Sequence, residues 1–179
     1  DHLSEGRFTL GLGTSVRWWH GQLYGVAYEH PVARLEEAVT LIRAVLSGHG
    51  SKLGRFDGRF YQVDFSRLAH KPPIRPGLPV WVAALRTPMV RLAGRCADGL
   101  IGHPSWSVGW TLDQVNGPYA EALAASGRRR EQVEINLWTV VGPNPDVAES
   151  VHDAKRHVAN YASIAQYEPY FAAHGFAAE

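Results

Sequence analysis

The sequence predicts an α/β fold built on a parallel sheet, and three observations predict it. A short apolar run followed by a helical pattern recurs four times along the chain. The connections between these units are short, and two of the runs are continuously apolar and closed by small residues, as buried strands are. Parallel neighbours need a crossover between them, and a helix on the outside of the sheet supplies it. Periodicity alone leaves a barrel and an open sheet as equal outcomes.

The elements follow in order. Arg7 to Gly13 is an apolar run closed by glycines and reads as a strand that delivers its end to a loop carrying Trp18, Trp19, His20 and Tyr24. From Pro31 to Leu46, Val32, Leu35, Val39, Ile42 and Leu46 fall at helical spacing. Pro31 suits a first helical turn, and Gly48 marks a stop. Asp57-Gly58 between Phe56 and Phe60 predicts the turn of a small hairpin, before a proline-rich connector from Pro72 to Pro79. Leu78 to Ala84 reads as a strand and Pro88 to Ala97 as its helix; Asp98 to Ile101 and Leu112 to Ala125 repeat the pair, with Gly127 as the terminator. Val133 to Val141 is rich in β-branched residues, and Asn144-Pro145-Asp146 opens a helix carrying Val147, Val151, Ala154 and Val158. No boundary or repeat interrupts this rhythm, so residues 1–179 read as one domain with a loop insertion at about 48–77.

Composition excludes several function classes. The 179 residues are 45% hydrophobic and 20% charged, which is ordinary for a globular core. Eighteen Lys and Arg against seventeen Asp and Glu give +1, with no basic footprint for nucleic acid or acidic membranes. Cys96 is the only cysteine, so no intrachain disulfide forms, and no apolar run reaches the ~18–20 residues of a membrane span. The expectation is a cytoplasmic protein. Asp1 at the start and the apolar stretch Phe171 to Phe176 near the end read as the limits of an internal fragment.

In either α/β architecture the working residues lie in loops at the C-terminal ends of the strands. Four loops qualify: Gly13 to Tyr24, Ala84 to Met89, Gly102 to Trp110 and Val141 to Asn144. Gly11-Leu12-Gly13-Thr14-Ser15 resembles half a dinucleotide fingerprint but lacks its third glycine; the plainer reading is that both glycines permit a tight turn and close packing. An open-sheet NAD enzyme is the function that this motif would imply. Ala83-Ala84-Leu85-Arg86-Thr87-Pro88 runs from a strand into a helix whose free N–H groups can hold an anion, with Arg86 as a bidentate partner. Equally, the alanines pack a strand and Arg86 is a solvated charge. His103 stands at the same rim. His20, His30 and His103 lack zinc-site spacing, so no metal is expected, and neither Ser15 nor Ser105 lies in a nucleophile elbow. Trp18, Trp19, Trp106 and Trp110 fall in two of the rim loops and would form an apolar wall for a planar ring system.

Ser4-Glu5-Gly6-Arg7-Phe8-Thr9-Leu10-Gly11-Leu12-Gly13-Thr14 resembles the "SGGRFxLGLGxG" strand of the luciferase-like oxidoreductases, the superfamily of bacterial luciferase and the deazaflavin (coenzyme F-420) enzymes. Arg34-Leu35-Glu36-Glu37-Ala38, then Phe56-Asp57-Gly58-Arg59-Phe60-Tyr61, then Leu78 to Ala84 with Leu92 to Gly99, are similar to its later motifs and occur in the family's order. The resemblance implies a TIM (β/α)8 barrel of which this chain supplies the fourth to seventh βα units, an open half that is not expected to fold alone. It implies a flavin-type cofactor across the C-terminal mouth, with coenzyme F-420 ahead of FMN. Its phosphate would lie near Ala83, Ala84, Leu85, Arg86, Gly102 and His103, and its ring system over Gly13, Thr14 and Ser15. Trp19 and His20 would face a small-molecule substrate, in a protein that forms a homo-oligomer at full length. The implied activity is hydride transfer between F-420 and a small organic substrate; an FMN-dependent monooxygenase and a non-catalytic flavin-binding barrel are the alternatives. Ser15-Val16-Arg17-Trp18 stands where sugar-phosphate dehydrogenases of the family carry a catalytic glutamate, and Leu85-Arg86 stands in place of the paired glycines that often follow Ala-Ala in the family.

Overall fold

A computed structural model describes residues 1–47, 54–67, 73–75 and 77–176. Its centre is a four-stranded parallel sheet in the order β1-β4-β5-β6, formed by β1 (Leu10–Leu12), β4 (Val80–Ala83), β5 (Gly99–Ile101) and β6 (Glu134–Asn136). Leu10 pairs with Val80, Trp81 with Gly99, and Leu100 with Ile135. Between β1 and β4 lie α1 (Arg17–Gln22), α2 (Pro31–Leu46) and the hairpin β2 (Arg55–Asp57) with β3 (Gln62–Asp64). Helix α3 (Thr87–Cys96) follows β4, α4 (Val108–Trp110) and α5 (Gly117–Ala125) follow β5, and α6 (Val147–Ala162) and α7 (Glu168–Ala173) follow β6.

The two faces of the sheet differ, because side chains alternate along a strand. Val80, Val82 and Leu100 are fully buried on one face, in a single cluster with Leu35 and Val39 of α2, Val90 and Ala93 of α3, and Tyr119 and Leu123 of α5. The opposite face carries Trp81, Ala83 and Ile101, which are only half-buried. Helices gathered on one face are what a barrel wall has, whereas an open doubly wound sheet is covered on both. Gly99 makes room for the Trp81 indole, since a Cβ there would come within 2.5 Å of the ring.

Three ties explain the segment from Leu92 to Gly99. Gly94 lets α3 and α5 approach, with only 2.7 Å from its absent Cβ to that of Ala122. Arg95 forms a bidentate pair with Glu36 of α2 at 2.8 and 3.0 Å. Asp98 Oδ2 accepts from Val80 N at 2.9 Å and from Arg43 Nη2 at 2.8 Å, tying the entry of β4 to α2.

Several expectations are corrected. The first strand is confined to Leu10–Leu12, and Phe8 is exposed. Part of the loop after it is helical, as α1. Gly11 and Gly13 have no positive φ and make no tight turn; they admit neighbours, since a Cβ on Gly11 would lie 3.2 Å from the Ile101 side chain and one on Gly13 3.3 Å from that of Ala83. Asp57-Gly58 is not the hairpin's central pair. The turn spans Gly58 to Tyr61, and the Glu37 carboxylate accepts from the N–H groups of Arg59, Phe60 and Tyr61. The helix expected from Leu112 begins at Val108 and passes through a π-helical stretch, Thr111–Asn116. The last strand ends at Asn136, leaving Leu137, Trp138 and Val141 exposed. Helix α6 forms behind its Asp146 cap, but its valines face outward: Val147, Val151 and Val158 are 74%, 46% and 42% exposed. The Gly48 stop lies outside the described residues, as do parts of the 48–77 insertion and of the connector from Pro72.

Candidate cofactor and substrate cavity

The C-terminal ends of β1, β4 and β5 open into one cavity of about 450 Å³. Gly13, Thr14 and Ser15 line it from β1; Ala83, Ala84, Leu85 and Arg86 from β4; Gly102 and His103 from β5. These are all nine residues expected at a cofactor site, brought together because parallel strands end on the same side. Trp19 lines the same cavity. His20 lines an adjoining one of about 140 Å³, which shares Gly13, Thr14, Tyr28 and Pro31.

The first wall is strained and braced. Ser15 adopts φ +54°, a left-handed conformation that costs a non-glycine residue about 1–3 kcal/mol. Its carbonyl accepts from the Tyr28 hydroxyl at 3.2 Å. Gln166 then locks this loop from the other end of the chain: Oε1 accepts from Arg17 N at 2.8 Å, and Nε2 donates to Tyr28 Oη at 3.3 Å.

The second wall is the β4–α3 turn. Arg86 occupies the N-cap of α3 without a side-chain cap bond, and Pro88 stands in the first turn, so the positive end of the helix opens beside small residues Ala83 and Ala84. Leu85 is fixed through its carbonyl, which accepts from Trp106 Nε1 at 2.9 Å and Trp110 Nε1 at 3.3 Å. That corrects the expectation of a four-tryptophan wall. Trp106 and Trp110 brace the turn from outside the lining, Trp18 is exposed, and only Trp19 of the four lines the cavity.

The third wall joins the β5 loop to the C-terminal segment. His103 Nδ1 accepts from Ser105 N at 3.2 Å, and Nε2 meets the Tyr167 hydroxyl at 3.2 Å. Burial first, and the nearby His157 second, push the His103 pKa down to about 4, so the ring is neutral at pH 7. It brings no charge to an anion. Burial pushes Tyr167 up to about 12. The Tyr161 ring meets His103 edge-on and the Tyr167 ring meets it tilted, at centroid distances of 4.9 and 5.2 Å. Helix α7 is held to this loop by Tyr170, whose hydroxyl donates to the Ser105 carbonyl, and by His174, within 2.7 Å of Ser107 Oγ.

Tyr28, Trp138, Tyr161, Gln166 and Tyr167 line the cavity and were not singled out from the sequence. The Val141 to Asn144 loop, which was, does not. No group of three or more metal-ligating side chains occurs among the described residues, and no helix among them is long and apolar enough to cross a membrane.

A one-sided parallel sheet with its cavity at the strands' C-terminal ends defines the class: an α/β protein of barrel type. The profile of the luciferase-like monooxygenases matches residues 1–179, and the chain belongs to that family. It is 32% identical to an uncharacterised Mycobacterium tuberculosis protein over 97% of this chain and 53% of that one. It is 25% identical to the 5,10-methylenetetrahydromethanopterin reductase of Archaeoglobus fulgidus, over 82% of this chain and 41% of the reductase. Two solved structures share the fold. An F-420-dependent secondary alcohol dehydrogenase, in complex with an F-420-acetone adduct, superposes with a TM-score of 0.71 at 18% identity, over 84% of this chain and 44% of its own. The coenzyme F-420-dependent tetrahydromethanopterin reductase of Methanopyrus kandleri gives 0.67 at 16% identity, over 83% and 45%. The chain thus spans about half the length of the curated relatives it matches.

Proposed function

We propose that this chain forms the fourth to seventh βα units of a luciferase-like (β/α)8 barrel, in an oxidoreductase that uses coenzyme F-420 in preference to FMN. The observation that carries this reading is the convergence of Gly13–Ser15, Ala83–Arg86 and Gly102–His103 on one cavity. Its volume of about 450 Å³ lies in the range of small-molecule sites, ~300–1,000 Å³. The residues fit such a cofactor: two alanines leave a phosphate room to approach the backbone, and Arg86 and the uncapped start of α3 supply positive charge. The F-420-dependent proteins that share the fold support F-420 over FMN.

In this reading Ala83, Ala84, Leu85 and Arg86 hold the phosphate, with Gly102 and His103 beside them. Gly13, Thr14 and Ser15 lie under the ring system, while Trp19 and His20 face a small organic substrate. A bound deazaflavin supplies the hydride chemistry; the chain binds it, orients it and keeps water out. Because the His103 ring is neutral, Arg86 carries the charge recognition.

Fluorescence titration of the full-length protein with F-420 and, separately, with FMN tests this. Selective micromolar F-420 binding is expected. Arg86→Ala removes a charge-assisted contact of about 1.5–3 kcal/mol and should weaken F-420 binding roughly 10- to 100-fold. A change within about twofold would show that the phosphate lies elsewhere. Selective FMN binding would favour an oxygen-using monooxygenase.

A further inference from the structure

We propose that the Tyr167 hydroxyl is a hydrogen-bond donor to an uncharged acceptor oxygen, a carbonyl or hydroxyl of the substrate, and that His103 positions it. This rests on the reading of the cavity as the place where substrate meets cofactor, and it names the chemistry that the substrate presents.

The argument begins with the backbone of Ser105. Its N–H donates to His103 Nδ1 at 3.2 Å, so that nitrogen carries a lone pair and no proton. The opposite tautomer would set two donors against each other. With Nδ1 bare and the ring neutral, the proton sits on Nε2, which therefore donates to Tyr167 Oη across 3.2 Å. Tyr167 then accepts from His103 and keeps its own single proton for another partner. Among the described residues no acceptor takes that proton.

Tyr167 and His103 both line the cavity, and Tyr167 is 8% exposed, so the hydroxyl is fixed rather than free in solvent. Ile164 O holds the Tyr167 N–H at 2.8 Å, and the Tyr161 ring packs 5.2 Å from its own. The surroundings match a neutral ligand atom. Of the groups at the hydroxyl itself, His103 and Tyr167 are uncharged at pH 7, and the Arg17 guanidinium is held over the Tyr28 ring, 5.3 Å from its centroid. A donor that is already desolvated loses little when a ligand oxygen arrives, whereas an apolar ligand leaves it unpaired. That asymmetry makes Tyr167 a specificity determinant as well as a contact.

The test compares two probes of the same shape, cyclohexanone and methylenecyclohexane, binding to the full-length protein by calorimetry. Tyr167→Phe should keep the affinity for methylenecyclohexane while the ratio favouring the ketone falls about 3- to 10-fold, the worth of one neutral hydrogen bond. His103→Gln, which keeps a donor towards Tyr167, should retain the ratio; His103→Ala should lower it. An unchanged ratio in Tyr167→Phe overturns the proposal, as does failure of the wild-type protein to bind either probe. An independent readout needs no variant: nitrogen-15 NMR of wild-type His103 should show a bare Nδ1 and a protonated Nε2, and the reverse tautomer overturns the assignment. Titrating F-420 into the wild-type protein separates the two readings. No F-420 binding, with the probe ratio still falling in Tyr167→Phe, would remove the cofactor reading alone, and F-420 binding with an unchanged ratio in Tyr167→Phe would remove this one alone.

Discussion

At the scale of single residues, the cavity depends on positions where one extra atom does not fit. A Cβ on Gly102 would lie 2.8 Å from the Trp106 ring and 3.2 Å from the Asn136 carbonyl, and Trp106 cannot retreat without giving up its bond to Leu85 O. Gly102→Ala in the full-length protein should therefore cost about 1–3 kcal/mol of stability, read from urea unfolding. A cost below about 0.5 kcal/mol would mean that the loop yields freely. His103 makes a second prediction. Its folded pKa, about 4, lies below the unfolded value near 6.5, so between these limits the unfolded chain binds more protons. The stability owed to a neutral His103 is complete above about pH 6.5 and is lost as pH falls towards 4. The wild-type urea midpoint should drop more steeply over that window than that of His103→Gln, and parallel curves would place the ring outside this burial. Neither effect is legible in the sequence, because Asn136 reaches Gly102, Leu85 reaches Trp106 and Tyr167 reaches His103 from other parts of the chain.

At the scale of elements, α3 shows how a helix is held in register with the strand it follows. Its last turn leaves carbonyls without helical partners, and two arginines from elsewhere take them. Arg43 of α2 donates to Cys96 O at 2.9 Å; Arg128, beyond α5, donates to Gly94 O at 3.1 Å and to Ala97 O at 2.5 Å. Cations at a helix C-terminus also oppose its dipole favourably. Arg128→Ala should lower stability by about 1–3 kcal/mol, and Arg128→Lys, which lacks the fork, should recover only part of it. Equal stability of all three forms, measured by urea unfolding, would show the capping to be incidental. The sequence shows where α3 runs to within a residue, because its apolar spacing and Pro88 are local signals. It hides the caps, which depend on which distant arginine arrives.

At the scale of the molecule, β1 and β6 each pair on one side only among the described residues. The outward valines of α6 and the 56% exposure of Trp138 leave further apolar surface uncovered. Open strand edges and apolar faces of this kind are what closure of a barrel removes. The 179-residue chain by itself should accordingly unfold without a cooperative thermal transition and bind a hydrophobic dye, while the full-length protein melts sharply. A sharp monomeric transition of this chain alone would overturn the half-barrel reading.

What the sequence determined by itself was the alternation of strand and helix, the direction in which the strands deliver their ends, and three of the loops that line the cavity; the set of nine cofactor positions in and beside them is what the family resemblance implies. The first three are local properties: apolar spacing, helix caps and small residues at strand ends, read against the rule that parallel strands present their C-termini together. Tertiary structure alone decided that α2, α3 and α5 cover one face, that Trp106 and Trp110 brace Leu85, and that Tyr161, Gln166 and Tyr167 return from the far end of the chain to close the cavity. These depend on contacts between residues as many as 149 positions apart, as between Arg17 and Gln166, and no window of sequence records such a meeting.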